Sequence, residues 1–125
     1  MKRRIRAPAL WGAGFAGATG EALSKLSVSH PFDRRLATQD IAGTRAHARG
    51  LARAGLLTTG ALARIQKGLK AIEKEIAAGR FRFEDADEDI HLNIERRLIA
   101  LSGEAGRRVH AGRSRHDQVA LDLRL

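Results

Sequence analysis

Residues 58–79 read TTGALARIQKGLKAIEKEIAAG and hold the clearest structural pattern in the chain. Thr58 is a typical residue to precede a helix, and Gly79 is typical of the position just after one. Between them, large apolar residues recur at alternating intervals of three and four: Leu62, Ile65, Leu69, Ile72 and Ile76. This spacing predicts an amphipathic helix whose apolar face packs against one or two neighbouring helices.

Two more helices are predicted, one on each side of this stretch. The first runs from Asp33 to Ala54 and stops before Gly55, although Gly43 and Gly50 each weaken it by about 1 kcal/mol relative to alanine. Its inner side is predicted to carry Leu36, Ile41, Ala48, Leu51 and Ala52. The second runs from about Glu88 to Ser102, with a predicted buried stripe of Ile90, Ile94, Leu98 and Leu101.

Length and composition favour one helical domain. The chain has 125 residues, 43% of them hydrophobic and only 4% aromatic, and its apolar residues are mainly Ala, Leu and Ile. These residues favour helices over strands. The predicted fold class is therefore all-α, with an extended link over Ser24 to Pro31 between the first elements.

Composition also argues against several functions. The chain has no cysteine, which suits a reducing cytoplasm. Its formal net charge is +9, but the basic residues are not interleaved with aromatic ones and no known nucleic-acid-binding motif is present, so nucleic-acid binding is not predicted. No apolar run reaches the ~20 residues of a membrane span. Residues 1–18 look like an export signal, but Pro8 and the glycines interrupt the apolar segment, so export is not predicted. Residues 12–17 match the G-x-G-x-x-G pattern of dinucleotide-binding proteins, but no predicted strand precedes them, so this site is not predicted either.

An acidic run at residues 84–89 resembles a calcium loop only superficially. An EF-hand loop counted from Asp85 requires glycine and glutamate where Ile90 and Arg96 stand, so the run is interpreted as acidic caps on the following helix. On that helix His91 and Glu95 lie one turn apart. They are interpreted as a polar pair that braces a nearby loop, the alternative being half of a metal site.

The last sixteen residues, 110–125, place hydrogen-bond donors before a predicted helix. A small-residue turn at Ala111 and Gly112 precedes Arg113, Ser114, Arg115 and His116, and Asp117 is predicted to start the helix. Apolar positions follow at Val119, Leu121 and Leu123. Unpaired N–H groups and a positive dipole end make such an entrance a receptor for a carboxylate or phosphate. The alternative is an ordinary helix cap with solvated arginines.

Four separated segments resemble the argininosuccinate lyases of the aspartase/fumarase superfamily, in the order that family has them. Residues 112–125 are the most specific, since they are similar to the family string G-R-S-R-N-D-Q-V-A-x-D-L-R-L. The other matching segments are Leu10-Trp11-Gly12 with Phe15 and Gly17, Pro31 to Leu36 with Asp40 to Gly43, and Asp87 to His91 with Glu95 to Leu98.

The resemblance implies reversible β-elimination of argininosuccinate to arginine and fumarate, in arginine biosynthesis, without a cofactor or metal. It places substrate-binding positions at Ser29, Ser114, Arg115 and His116, and supporting positions at Asp87, His91 and Arg113. No catalytic residue falls within the chain, because the proton-transfer segments of the family are expected beyond Leu125. The resemblance further implies a cytoplasmic homotetramer.

The same resemblance divides the chain into a basic, flexible N-terminus (1–9), an N-terminal helical lyase domain (10–116) and the start of a truncated central bundle helix (117–125). Three departures from the family pattern are visible: His116 replaces asparagine, Ala111 replaces threonine, and Ala13-Gly14 replaces Gly-Arg. They motivate an alternative hypothesis, in which the chain is a non-catalytic, truncated or decayed lyase copy that associates with a full-length lyase.

Overall fold

The computed structural model describes residues 20–125, and these residues form helices and turns without any strand. The all-α prediction is therefore confirmed. The predictions for residues 1–19, including the basic N-terminus and the glycine-rich segment, lie outside the described residues. The helices are α1 (Glu21–Ser27), α2 (His30–Asp33), α3 (Ala37–Arg53), α4 (Thr59–Ala77), α5 (Ile90–Ser102), α6 (Glu104–Arg107) and α7 (Arg115–Asp122).

Helix α4 confirms the prediction for residues 58–79. Thr58 is the N-cap, with its side-chain oxygen accepting a hydrogen bond from the Ala61 N–H at 3.1 Å. Gly79 follows the helix with a φ of +65°, a conformation that glycine adopts without strain. The apolar stripe faces the core: Ile65, Leu69 and Ile72 are fully buried, while Leu62 and Ile76 are partly buried against it.

The predicted link over Ser24 to Pro31 is wrong. Its first half, residues 24–27, lies in α1, and Pro31 lies in the first turn of α2, where the missing N–H of proline removes no helical hydrogen bond. A 3₁₀ turn, Arg34–Leu36, then leads into α3. The predicted helix over residues 33–54 is thus confirmed from Ala37 onward.

Helix α5 begins at Ile90, where Asp89 caps it by accepting from the Leu92 N–H at 2.7 Å. Ile90, Ile94 and Leu98 are buried as predicted, but Leu101 is 40% exposed and Ser102 is buried instead. The Ser102 hydroxyl donates to the Leu98 carbonyl oxygen at 2.6 Å, which satisfies its polar group inside the core.

The core lies between α3, α4 and α5, and α7 packs against α3 and brings Asp122 to His91 of α5. Two glycines allow close approach between helices. A Cβ on Gly68 of α4 would lie 2.8 Å from Leu98 Cδ1, and one on Gly43 of α3 would lie 2.9 Å from Leu121 Cδ2. Gly43 therefore offsets its low helix propensity through the contact with α7.

Candidate functional site

The helix entrance near residue 114 differs in register from the prediction. Helix α7 starts at Arg115, two residues before the predicted start at Asp117, and Ser114 is its N-cap. Ser114 Oγ accepts from the Asp117 N–H at 3.3 Å, while the Asp117 carboxylate accepts from the Ser114 N–H at 2.8 Å. This capping box lowers the pKa of Asp117, chiefly through the backbone hydrogen bond from Ser114.

The capping box limits which donors are free for an anion. It uses the Ser114 N–H and places a carboxylate at the positive end of the helix. The Ser114 hydroxyl only accepts in the box, so its O–H remains a donor. The predicted turn before it is confirmed, with Gly112 at a φ of +73°.

The buried face of α7 is polar. Gln118 and Asp122 are buried, whereas Val119 is half-buried and Leu121 and Leu123 are 40% and 71% exposed. The apolar positions named from the sequence therefore do not form the buried face of α7. The reason is that the facing residues come from a polar strip on α3, which includes Asp40.

A buried cluster of two carboxylates and an imidazole joins three helices. His91 Nδ1 on α5 lies 2.9 Å from Asp40 Oδ1 on α3 and 3.4 Å from Asp122 Oδ2 on α7. All three side chains are almost fully buried. No hydrogen-bond partner within residues 20–125 reaches either Asp122 oxygen, so this carboxyl is the least satisfied member.

The cluster changes the pKa of two of its members. Burial and repulsion from Asp40 raise the pKa of the Asp122 carboxyl to about 7. Burial alone lowers the pKa of His91, but the hydrogen bond to Asp40 and the surrounding carboxylates raise it overall. Both shifts favour the protonated form of these two groups.

Positive charge and donors already balance this cluster. Gln118 Nε2 donates to the same Asp40 oxygen that His91 contacts. The Arg113 guanidinium lies beside both carboxylates, and its Nη2 donates to Thr44 Oγ1 at 3.1 Å. In the part of the chain that the structure describes, Asp40, His91 and Asp122 are the group whose possible metal-ligand atoms lie within 4.8 Å of one another. The donors His91 and Gln118 both contact Asp40 Oδ1, whereas Asp40 Oδ2 and both Asp122 oxygens accept no hydrogen bond from residues 20–125.

Arg115 is held at the entrance of α7 by two acceptors. Its Nη2 donates to Glu95 Oε2 at 3.1 Å, and its Nη1 donates to Gln118 Oε1. His110 Nδ1 lies 3.8 Å from the same Glu95 oxygen, and burial lowers the pKa of that imidazole. Glu95 thus braces the loop, whereas its neighbour His91 binds the buried carboxylates.

Ser29 and Asp87 lie near the amino end of α5. Ser29 Oγ donates to Asp33 Oδ2 at 2.8 Å, and the Ser29 N–H donates to the Glu88 carbonyl oxygen at 2.8 Å. Glu88 has a φ of +59°, which is strained for a residue other than glycine, and these contacts help to hold it. Asp87 pairs with Arg96 Nε.

The structure therefore brings together only part of the predicted site. His91 and Arg113 line one small cavity, and Arg115 lies next to it through Glu95 and Gln118. His116 is exposed on the first turn of α7. Within residues 20–125, no hydrogen bond joins Ser29 or Asp87 to the loop of residues 110–116. Ser29 and Asp87 lie at the amino end of α5, whereas Glu95, which contacts Arg115, lies about one and a half turns farther along that helix.

Sequence reasoning missed three residues of this arrangement: Asp40, Gln118 and Asp122. Their types gave a usable signal. An aspartate amid the helical stripe of residues 37–51, and an aspartate spaced four residues from Gln118, mark a polar face that has partners inside the protein.

The helical fold and the donor-rich loop agree with the class of protein that sequence comparison identifies. The sequence profile of the lyase family matches residues 14–125, and the chain belongs to that family. Similar curated relatives are named argininosuccinate lyase. The protein of Oleidesulfovibrio alaskensis is 52% identical over 116 residues, which are 93% of this chain and 25% of the relative.

Two further relatives give the same result. The argininosuccinate lyase of Alkalilimnicola ehrlichii is 52% identical over 93% of this chain and 25% of its own length. That of Sulfurimonas denitrificans is 44% identical over 92% of this chain and 25% of its own length. The chain thus spans about a quarter of the length of the curated relatives it matches. No helix in the part that the structure describes is long and apolar enough to cross a membrane.

Proposed function

We propose that this chain supplies the N-terminal part of an argininosuccinate lyase, which cleaves argininosuccinate to arginine and fumarate in arginine biosynthesis. The observation that carries the proposal is the identity of about half of the aligned residues over 93% of the chain to relatives of that name. The helical fold and the donors at the entrance of α7 support it.

The proposed reaction is a redox-neutral β-elimination. Removing a proton beside a carboxylate creates an electron-rich intermediate, so the site must fix the substrate carboxylates and stabilise developing negative charge. Arg115 offers a fixed cation for this purpose, and Ser114 offers a free O–H. In this proposal the groups that move the proton come from the remainder of the enzyme.

The other proposed contacts are more distant. Ser29 would bind substrate only after its hydroxyl turns away from Asp33, and His116 is exposed and free to approach a ligand. Asp87, His91 and Arg113 would act behind the site by holding the backbone and the loop in place. Asp87 does this through Arg96, and His91 does it through the buried carboxylates.

We propose a cytoplasmic homotetramer as the working form. Its support is the membership of the chain in the lyase family and its similarity to relatives named argininosuccinate lyase.

The test is to express this chain together with a lyase that lacks the matching segment, and to follow fumarate formation by ultraviolet absorbance. We expect the mixture to form fumarate and the Arg115→Met chain to restore little, because the methionine cannot donate to a carboxylate. An Arg64→Met chain, changed at an exposed arginine on the far side of α4, is the matched control. A folded chain that binds the partner without restoring turnover would contradict the proposal and favour a non-catalytic lyase copy.

A further inference from the structure

The guanidinium of Arg115 is clamped between two helices. Glu95 of α5 accepts from Nη2, and Gln118 of α7 accepts from Nη1. The Arg115 and Glu95 side chains are each only 13% exposed, so water competes weakly for these hydrogen bonds. Arginine has five N–H donors, and among the described residues two of them are used in this clamp.

The amide of Gln118 has only one orientation that satisfies its neighbours. On one side lies Asp40 Oδ1, an acceptor, which requires the NH₂ group. On the other side lies Arg115, which only donates and therefore requires the amide oxygen. Turning the amide over would place two acceptors together and two donors together. Asp40, buried on α3, thus sets which group Gln118 presents to Arg115.

We propose that Glu95 and Gln118 are positioning residues for Arg115, and that Asp40 acts on Arg115 by fixing the Gln118 amide. The chain of contacts runs from α3 through α7 to α5 and holds a cation at the entrance of α7. The proposal rests on the proposed function for the ligand, a carboxylate of argininosuccinate or fumarate.

The advantage for binding is preorganisation. A free arginine side chain loses rotamer freedom when it grips a ligand, and a clamped one has already lost it during folding. Nε–H lies outside the clamp and is buried without a hydrogen-bond partner among the described residues, so the second N–H groups of Nη1 and Nη2 are the ones that would meet a carboxylate. If the clamp only stabilised α7, variants of Glu95 and Gln118 would lower folding stability. Their KM would then not rise together with the mobility of the Arg115 guanidinium.

The chain contains a matched set of residues for control variants. On the α3–α4 side, Arg45 Nη2 donates to Glu73 Oε2 at 3.3 Å, and Gln66 Nε2 donates to the Arg45 carbonyl oxygen at 3.2 Å. These residues are the same three types as in the clamp. Glu73→Gln and Gln66→Leu therefore make the same chemical changes away from the entrance of α7.

The first measurement is nuclear magnetic resonance of the full chain, following the Nε–Hε signal of Arg115, assigned by its loss in Arg115→Lys. We expect a rigid guanidinium in the unchanged chain and in both controls. Glu95→Gln, which keeps shape but removes charge, and Gln118→Leu should each make it mobile on the ps–ns timescale. A mobile guanidinium in the unchanged chain, or a rigid one in both variants, would overturn the proposal.

The second measurement is turnover of argininosuccinate by the chain combined with a lyase that lacks this segment. We expect Gln118→Leu to raise KM about tenfold and Glu95→Gln to raise it several-fold, with smaller changes in kcat. An unchanged KM despite a mobile guanidinium would also overturn the positioning role. If the unchanged chain restores no turnover, the proposed function fails, whereas the resonance comparison still decides whether the clamp exists.

Discussion

His91 Nδ1 donates to Asp40 Oδ1 at 2.9 Å, although the two residues are 51 positions apart in the chain. This hydrogen bond ties α5 to α3 inside the protein. Asp122 of α7 approaches the same imidazole to 3.4 Å and is repelled by Asp40. The charged groups near the cluster are Arg113, Glu95, which lines the same cavity, and Asp89, the N-cap of α5 two residues before His91. Folding therefore couples proton binding to the docking of α7.

The direction of the pH dependence follows from two raised pKa values. Asp122 titrates near 3.8 when unfolded and near 7 when folded, so the folded chain holds a proton that the unfolded chain releases across that window. Stability falls as pH rises through it. The contribution of His91 is complete below about pH 6.5 and is lost as pH rises through its higher folded pKa.

We predict that Asp122→Asn flattens this dependence, because asparagine is neutral and similar in shape to the protonated carboxyl. One proton changes the free energy of unfolding by at most about 1.4 kcal/mol per pH unit. Urea unfolding at several values between pH 5 and 8 measures the slope. Glu104→Gln, at an exposed site, should keep the slope of the unchanged chain. Equal slopes for Asp122→Asn and the unchanged chain would refute the prediction.

On the acid side the slope reverses. The pKa of Glu75 is lowered, first by its hydrogen bond with Arg97, and the pKa of Asp117 is lowered by the Ser114 N–H. Their contributions are present above the unfolded pKa values and are lost as pH falls through the folded ones. We therefore expect stability to pass through a maximum on the acidic side of neutrality, because these losses at low pH oppose the fall that Asp122 causes as pH rises.

Replacing the N-cap of α7 tests how much local structure holds the loop. Ser114→Ala removes the acceptor for the Asp117 N–H, and we expect a loss of about 1 kcal/mol in the free energy of unfolding. Ser27→Ala removes a similar hydroxyl at the exposed end of α1 and should cost under about 0.5 kcal/mol. Denaturant unfolding of both variants gives the comparison, and equal losses would contradict it.

Two glycines should respond oppositely to alanine. Gly50 lies inside α3, and a Cβ there would meet nothing within 4 Å, so Gly50→Ala should stabilise the chain by about 0.5–1 kcal/mol. A Cβ on Gly106 would lie 2.9 Å from the Ile99 Cα, a backbone atom that cannot move aside cheaply. Gly106→Ala should therefore destabilise it, and thermal unfolding of the two variants should shift in opposite directions.

The elements that the sequence predicts well are those whose signals are local. Helix α4 follows from its apolar spacing with Thr58 and Gly79 at its ends, and these signals require no distant partner. The inner face of α7 cannot be predicted from local signals, because the orientation of the helix depends on the contact between Gln118 and Asp40, which are 78 positions apart. The sequence shows which positions of α7 are apolar, but only the fold shows that its buried face carries Gln118 and Asp122, which lie beside Asp40 and His91.

The same distinction applies to the candidate site. The donors of residues 113–116 are recognisable in sequence, but which of them stay free is decided by contacts from other helices. Arg115 is engaged by Glu95, and the Ser114 N–H is engaged by Asp117. The link from His91 to Asp40 likewise depends on packing across 51 positions.

His116 provides a direct test of substrate contact. The related family string has asparagine at this position, whose amide presents a donor and an acceptor in one plane, whereas a neutral imidazole presents them on different sides of a ring. Because His116 is exposed on α7, His116→Asn should change the free energy of unfolding by less than about 0.5 kcal/mol. In the combined enzyme we expect it to lower KM for argininosuccinate with little change in folding. His47→Asn, where the imidazole Nε2 donates to the Ala111 carbonyl oxygen at 2.8 Å, is a contrasting control that should loosen the loop and raise KM. A higher KM for His116→Asn would show that the imidazole itself has become the better ligand contact in this chain.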